Sequence, residues 1–464
     1  MLASWQQPLL VLGAPGAGKT TLVGQAAVTT IRDGGAQPVV LTSSRTAASR
    51  LRNAITTELG EGSWRPTVTT AHGLARSLWQ RFSGRADVRL LSAPEQEFRV
   101  RELLAGAGPD GWPPELRYAA ETRGFAGQVR AAIARARQLG LDPDDLIDFG
   151  HRANRPAWIA LGRFFAEYLD VLDAEGVLDY AELVHRTRLL LSAPEVGEVI
   201  AAEVGAVLVD DYAELDASQL GLIALLSRDT RVLAVADPDS VSAGFRGADP
   251  RAVREFADLF GGPDRFPQVV TLASTHRHGP TIVAALAGLR ARIPRAVAVT
   301  QNTEPAADLP GEVLVLDCHD EAEQARAIAA ELRRARVLDG VAFGQMAVLV
   351  RSGRRQLAPL AQALIAEGIP VEVPGDEIPL AQGGAVRPLL LALSIALAGS
   401  AQPDEAVRLL TSPLGGVDAI GLRVLAREWR SAGHGDAAHL PLAAQVSQAL
   451  NDPQWAQTFP DGDQ

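Results

Sequence analysis

Two rhythms of apolar and polar positions alternate along the chain. Short unbroken apolar runs recur between longer stretches whose apolar residues have helical spacing, as expected where strands buried on both faces alternate with amphipathic helices. Leu9–Leu12, Pro38–Thr42, Thr67–Thr70, Ala206–Asp210, Arg231–Ala236 and Gln268–Leu272 read as strands, and Thr46–Leu59 reads as a helix. From about residue 92 to 200 strands are scarce. Apolar positions in Tyr118–Leu139 and Trp158–Leu172 keep helical spacing, which predicts a helical insertion in an α/β core. A polar, proline-bearing stretch from about 300 to 311 reads as a linker. Beyond it, strands at Glu312–Leu316 and Met346–Val350, with helices at Glu321–Arg336 and Leu357–Glu367, predict a second α/β unit. From about 384 the chain turns helical and rich in alanine and leucine, and it ends in a polar, acidic segment.

The first strand leads into the segment with the strongest chemical signal. Gly13, Ala14, Pro15, Gly16, Ala17, Gly18, Lys19 and Thr20 have the spacing G-x-x-x-x-G-K-[ST], followed by Thr21 at the start of a helix. Glycines let the backbone approach phosphates closely, so that N–H groups and the helix N-terminus face the anion. The lysine is expected on the β- and γ-phosphates and the Thr20 hydroxyl on Mg²⁺. A nucleoside triphosphate is the expected ligand.

Composition sharpens this expectation. Among 44 basic residues, Lys19 is the single lysine. A chain otherwise committed to arginine keeps its one compact ammonium where a point-like phosphate binder is wanted. At 464 residues the chain has room for several domains, and its 47% hydrophobic content suits a globular α/β protein. A single cysteine, Cys318, excludes a disulfide framework or a cysteine-rich metal site. The longest apolar run, Leu389–Ala398, is too short to span a bilayer, and no signal peptide is evident, so the expected location is cytoplasmic. A net charge of −11 disfavours non-specific coating of nucleic acid but leaves room for a local basic groove.

A phosphate-binding loop needs a carboxylate at a neighbouring strand end. Leu208-Val209-Asp210-Asp211-Tyr212 supplies a pair, Asp210 as metal partner and Asp211 to orient water. Other conspicuous residues have plainer readings. Arg123, Arg130, Arg135 and Arg137 read as a solvated helix face, with a DNA-backbone contact as the alternative. Trp158, Phe164, Phe165 and Tyr168 read as core, and Cys318 as a small buried residue. His276 and His278 lack acidic partners at metal-ligand spacing.

The phosphate loop, then VVLTSSRTAASRL, TTAHGLARSL, LDYAELV, VLVDDYAELDASQ, ADPDSVSAGFRGA and LASTHRHGPTIV, occur in the order of superfamily 1 helicases of the UvrD/Rep/PcrA type, and the chain resembles them from about residue 9 to 290. Its alanine- and arginine-rich style resembles the AdnA subunit of actinobacterial AdnAB helicase–nucleases. The resemblance implies RecA-like P-loop motor domains: 1A at 1–91 plus 201–277, helical 1B at 92–200, the first part of 2A at 278–383, and the start of 2B at 384–464. It implies ATP- and Mg²⁺-driven 3′-to-5′ movement on single-stranded DNA and, as partner, a second helicase–nuclease subunit. It assigns Arg277 to the γ-phosphate, and Thr42, Arg45, Thr70, His72, Phe245 and Arg246 to DNA.

The departures from the family pattern bear on activity. Its catalytic glutamate is Asp211 here, and the glutamine two places on is Ala213. Ser240 replaces the glutamine that senses the γ-phosphate, and Ala243 and Ala71 stand where aromatics are usual. Gln6 and Gln7 lie too close to the phosphate loop to serve as the usual adenine-contacting segment. After residue 400 nothing resembles the fifth and sixth motifs, and no nuclease domain follows. A longer reading frame or a partner is therefore expected to complete the machine. A degenerate nucleotide-binding DNA clamp, whose partner translocates, is the competing expectation.

Overall fold

A computed structural model describes residues 5–34, 36–60, 66–84, 88–107, 111–293, 303–373, 386–431 and 440–452. It separates into two compact units, Met1–Val313 and Leu314–Gln464.

The first unit is built on a parallel sheet. Its strands are β1 (Leu9–Gly13), β2 (Gln37–Thr42), β3 (Thr67–Thr70), β6 (Val204–Val209), β7 (Arg231–Ala236) and β8 (Gln268–Leu272), in the order β3-β2-β6-β7-β1-β8. Strands β4 (Arg89–Leu90) and β5 (Val177–Leu178) pair apart from it, as a two-residue parallel ribbon at the base of the helical insertion. Both faces of β1, β2, β6 and β7 are covered, which explains their continuous apolar runs, whereas the edge strand β8 is largely exposed. Leu10 and Leu12 point into one core with Leu41, Val207, Val209 and Ala234. Leu9 and Val11 point into the other with Val23, Ile31, Val40, Leu208 and Val235. This period of two, apolar on both sides, is what a parallel strand between helical layers requires.

Helices α1 (Lys19–Arg32), α2 (Arg45–Leu59) and α3 (Ala71–Phe82) each follow a strand. Ser44 caps α2 by accepting from Ala47 N, and Thr70 caps α3 by accepting from Gly73 N. Helices α4 (Ala93–Ala107), α5 (Arg117–Ala120), α6 (Arg123–Gln138), α7 (Pro143–Arg152), α8 (Pro156–Glu175), α9 (Tyr180–Leu191) and α10 (Pro194–Glu203) form the expected insertion. Its own core holds Trp112, Phe125, Phe164, Phe165 and Tyr168. Helices α11 (Ala217–Leu226) and α12 (Phe256–Phe260) return to the sheet, and α13 (Pro280–Arg290) follows it.

Several expectations are corrected. Trp158, in the first turn of α8, is 47% exposed, whereas Phe164, Phe165 and Tyr168 further along the helix are buried. The arginine face of α6 is not simply solvated. Arg137 is 4% exposed, with Nε donating to Glu182 Oε2 at 2.6 Å, Nη1 reaching Asp142, and its guanidinium 4.8 Å from the Phe165 ring centroid. Arg135 donates to Gly247 O at 3.1 Å; the side chain of Arg123 lies outside the described residues. The linker carries structure, since β10 (Glu304–Pro305) pairs in parallel with β9 (Ser274–Thr275).

In the second unit, α14 (Glu321–Leu338) and α15 (Ala358–Ala366) form as expected, around Ala329, Leu364 and Ile369. Glu312–Leu316, which crosses the boundary between the units, and Met346–Val350 carry no regular secondary structure and join no ladder among the described residues. A strand needs neighbours on which to spend its N–H and C=O groups. Here Val315 is 87% and Leu349 93% exposed. Cys318 is half-buried rather than enclosed. Helices α16 (Val386–Ala398), α17 (Pro403–Leu410), α18 (Ala419–Ser431) and α19 (Leu442–Asn451) agree with the helical reading beyond 384. Among the described residues no helix is long and apolar enough to cross a membrane.

Candidate nucleotide and nucleic-acid site

Because the six strands are parallel, their C-terminal ends share one edge, where ligands of open α/β sheets bind. β1 runs into the glycine-rich turn, β6 into Asp210 and Asp211, β7 into Asp237, and β8 through β9 into Arg277.

The turn has the backbone that the phosphate-loop spacing predicts. Gly16 and Gly18 take φ of +79° and +86°, a left-handed conformation that side chains rarely adopt. At Gly16 space is also decisive, since a Cβ would lie 2.6 Å from both Arg277 Cβ and Thr275 Oγ1. Thr275 Oγ1 donates to Pro15 O at 3.0 Å and His276 N to Gly16 O at 2.9 Å, so the segment bearing Arg277 is seated on the loop. Arg277 itself is exposed there. Ala14 and Ala17 are buried beneath the turn, and Thr21 is exposed on the first turn of α1.

Lys19 Nζ donates to Gly13 O at 2.8 Å and Ala14 O at 2.9 Å, folding its ammonium across the mouth of the turn. Burial lowers its pKa, opposed by Asp237, Asp211 and Asp210. Thr20 Oγ1 donates to Asp210 at 3.0 Å to Oδ2 and 3.2 Å to Oδ1. Asp210 is 3% exposed, and burial together with the Asp211 charge pushes its pKa up to about 6 against the pull of Thr20 and Lys19. The turn's free helix N–H groups fit a polyphosphate, since the first turn of a helix leaves its donors unpaired. A hydroxyl and a buried carboxylate side by side are hard oxygen donors that fit Mg²⁺.

Asp211 sits at φ +58°, one of two non-glycine residues in the left-handed region among those described. Aspartate tolerates this conformation better than most, and such strain collects at functional sites. Its carboxylate accepts from Ser43 Oγ at 3.0 Å. Ser43 belongs to the turn between β2 and α2, beside Thr42, whose buried hydroxyl donates to Ser44 O at 2.9 Å. Arg45 opens α2 and is exposed.

A cavity of about 660 Å³ runs from this turn towards the insertion, lined in part by Thr42, Thr70, His72, Tyr180 and Asp211. His72 meets Tyr180 edge-on at 5.5 Å. The sequence-predicted Thr42, Thr70 and His72 thus share one cavity wall. Phe245 and Arg246 lie on a 3₁₀ turn, Ala243–Arg246, but their side chains lie outside the described residues.

Three contacts escaped the sequence reading. Glu214 accepts from Ser242 N and Ala243 N, both at 2.8 Å, anchoring the turn that carries Phe245. Ser43 ties down Asp211. Arg290 of α13 reaches Asp237 at 3.0 Å. Charge type alone gave no signal for any of them, because the partners are far apart in sequence. Gln7 accepts from Phe266 N at 2.7 Å and so serves the loop before β8.

Residues 1–261 match the UvrD/REP helicase N-terminal domain. DNA helicase II of Salmonella typhimurium is 25% identical over 386 residues, 81% of this chain and 50% of that protein. The Escherichia coli DNA helicase II matches over the same extent, also at 25%. An ATP-dependent helicase/nuclease subunit of Streptococcus pneumoniae is 24% identical over 337 residues, 66% of this chain and 27% of that protein. The chain therefore spans about half the length of the DNA helicase II relatives.

Proposed function

The chain belongs to the UvrD/REP helicase family, and on that premise we propose that it is the motor region of an ATP-dependent DNA helicase or translocase subunit, moving 3′-to-5′ on single-stranded DNA in recombinational or break repair. The observation that carries the reading is Lys19, Thr20, Asp210 and Asp211 converging on a glycine turn held open by Gly16 and Gly18. Bound Mg²⁺ would draw off charge from the phosphates. Lys19 would leave the Gly13 and Ala14 carbonyls for the β- and γ-phosphates, and Thr20 and Asp210 would hold the metal. Asp211 would orient water, and Arg277 would face the charge that builds on the transferred phosphoryl group. Thr42, Arg45, Thr70, His72, Phe245 and Arg246 would follow the strand, the aromatic stacking on bases without regard to sequence.

The proposed domain limits are those of the family: 1A at 1–91 and 201–277, 1B at 92–200, 2A from 278 and 2B from 384. A second subunit of helicase–nuclease type, with the chain resembling AdnA, is the proposed partner; the name of the Streptococcus pneumoniae relative supports this. A competing reading is a weakly hydrolysing clamp whose partner translocates. Asp211 in place of glutamate, and Ser240 engaged with Asp237 at 2.6 Å, favour it.

Calorimetry of Mg–ATP binding to wild type, Lys19→Ala and Lys19→Arg tests the nucleotide site. Loss of a charge-assisted contact should weaken binding about ten- to a hundredfold. Arginine should not restore it, its planar fork being wider than an ammonium cradle. Equal affinities in the three proteins would end the proposal.

A further inference from the structure

Arg290 has no place in the motif series, yet it lies at the nucleotide edge of the sheet. It is the last residue of α13, and its side chain is 12% exposed. Nη2 donates to Asp237 Oδ2 at 3.0 Å, Nε lies 3.8 Å from Asp239 Oδ2, and Nη1 donates to Thr303 Oγ1 at 3.2 Å. Asp237 is 6% exposed and fully engaged. Its Oδ2 also accepts from Ser240 Oγ at 2.6 Å, and its Oδ1 from Asp239 N at 3.2 Å.

Position gives this pair its meaning. Asp237 follows Ala236, which is registered against Leu12 of β1, so its carboxylate stands beside the start of the glycine turn. Asp237 is the anion that bears most strongly on the Lys19 ammonium, and Arg290 is the cation that opposes it there. Four carboxylates, Asp210, Asp211, Asp237 and Asp239, thus gather at an edge meant for a polyanion, against Lys19, Arg277 and Arg290.

We propose that Arg290 is a positioning residue of the nucleotide site, which neutralises and fixes Asp237 so that a triphosphate can occupy the glycine turn. The role rests on the nucleotide reading above and deepens it. Serine at position 240 is part of the arrangement, because its short hydroxyl completes the shell of Asp237 alongside the guanidinium. A bare Asp237 would repel the ligand, and the repulsion grows with ligand charge, so ATP suffers more than ADP.

The test compares Mg–ATP and Mg–ADP affinities at fixed ionic strength for wild type, Lys19→Ala, Arg290→Met, Arg290→Lys and the double variant Arg290→Met/Asp237→Asn. Arg290→Met should weaken ATP about tenfold, the effect of one unit charge at close range in a partly solvated site, and ADP by less. Arg290→Lys should keep most of the affinity. The double variant, with both charges gone, should return to within about threefold of wild type in ATP affinity. A purely structural ion pair would shift thermal stability and leave the ATP-to-ADP ratio alone. An unchanged ratio in Arg290→Met, or a double variant no better than the single one, would overturn the proposal. Wild type and Lys19→Ala binding alike would bring down the nucleotide site itself, and this role with it.

Discussion

The Ser43 hydroxyl donates to Asp211 Oδ2 at 3.0 Å, so a residue of the β2–α2 turn holds the carboxylate proposed to orient water. The same turn lines the cavity shared by Thr42, Thr70 and His72. A strand of DNA engaging that turn would compete for the hydroxyl and free Asp211. Ser43→Ala is therefore expected to raise DNA-free ATP turnover about two- to fivefold, the net worth of one solvent-exposed hydrogen bond, with little change in the DNA-saturated rate. Steady-state rates with and without single-stranded DNA measure it. A stimulation ratio equal to that of wild type would show the contact to be incidental.

Glu214 sets a second expectation. Its carboxylate accepts two backbone N–H groups and the Ser242 hydroxyl, and so fixes the entry to the 3₁₀ turn that bears Phe245 and Arg246. Glu214→Ala leaves those donors to water and loosens the turn, and the ordering cost then falls on DNA binding. Fluorescence anisotropy should show single-stranded DNA binding weakened about tenfold, while Mg–ATP affinity stays within about twofold. A parallel loss of both would mean that Glu214 supports the whole sheet edge.

The core of the first unit was legible because its strands are short, continuous and apolar, a pattern that parallel strands covered on both faces impose. The turn at Gly13–Thr20 was legible because only glycine meets the φ demands at Gly16 and Gly18. Contacts of Arg290 and Glu214 were not, since 53 and 28 residues separate them from Asp237 and Ser242. Periodicity says which face a residue occupies, never which distant charge it meets. Tyr118–Leu139 looked unbroken because its apolar spacing persists, yet α6 begins afresh where Thr122 Oγ1 accepts from Phe125 N at 3.2 Å. The apolar run Glu312–Leu316 read as a strand because local pattern carries no information on whether a neighbour is there to pair with it.

Arg137 tests the insertion. Buried with Glu182 and stacked near Phe165, it joins α6 to α9. Arg137→Ala would leave Glu182, itself 3% exposed, with Arg186 as its remaining ion-pair partner among the described contacts. Because Arg186 still pairs with Glu182, the expected cost is about 1.5–3 kcal/mol, the worth of one hydrogen bond between charged groups. Arg137→Met/Glu182→Gln, which removes both charges, should recover part of it. Urea titrations of the three proteins decide; a loss under about 1 kcal/mol in the single variant would mean that water reaches the pair.

Asp216 gives a pH dependence whose sign follows from its position. It is 5% exposed at the N-cap of α11, accepts from Gln219 N at 2.9 Å, and burial pushes its pKa up to about 6 from 3.8 despite Arg135 and Arg188 nearby. Between these two values the folded chain holds a proton that the unfolded chain has released. Its contribution to unfolding free energy therefore falls as pH rises through that window, by about 3 kcal/mol at most, and is level above it. Asparagine caps a helix about as well as aspartate and carries no charge to bury. Asp216→Asn should thus match wild type near pH 4 and exceed its stability by about 1–3 kcal/mol at pH 7.5. The difference between the two proteins cancels every other titrating group, Asp210 included, so urea midpoints at the two pH values isolate the effect. A gap that stays constant with pH would show that Asp216 titrates alike in the folded and unfolded chains, and that α11 starts on a hydrated carboxylate.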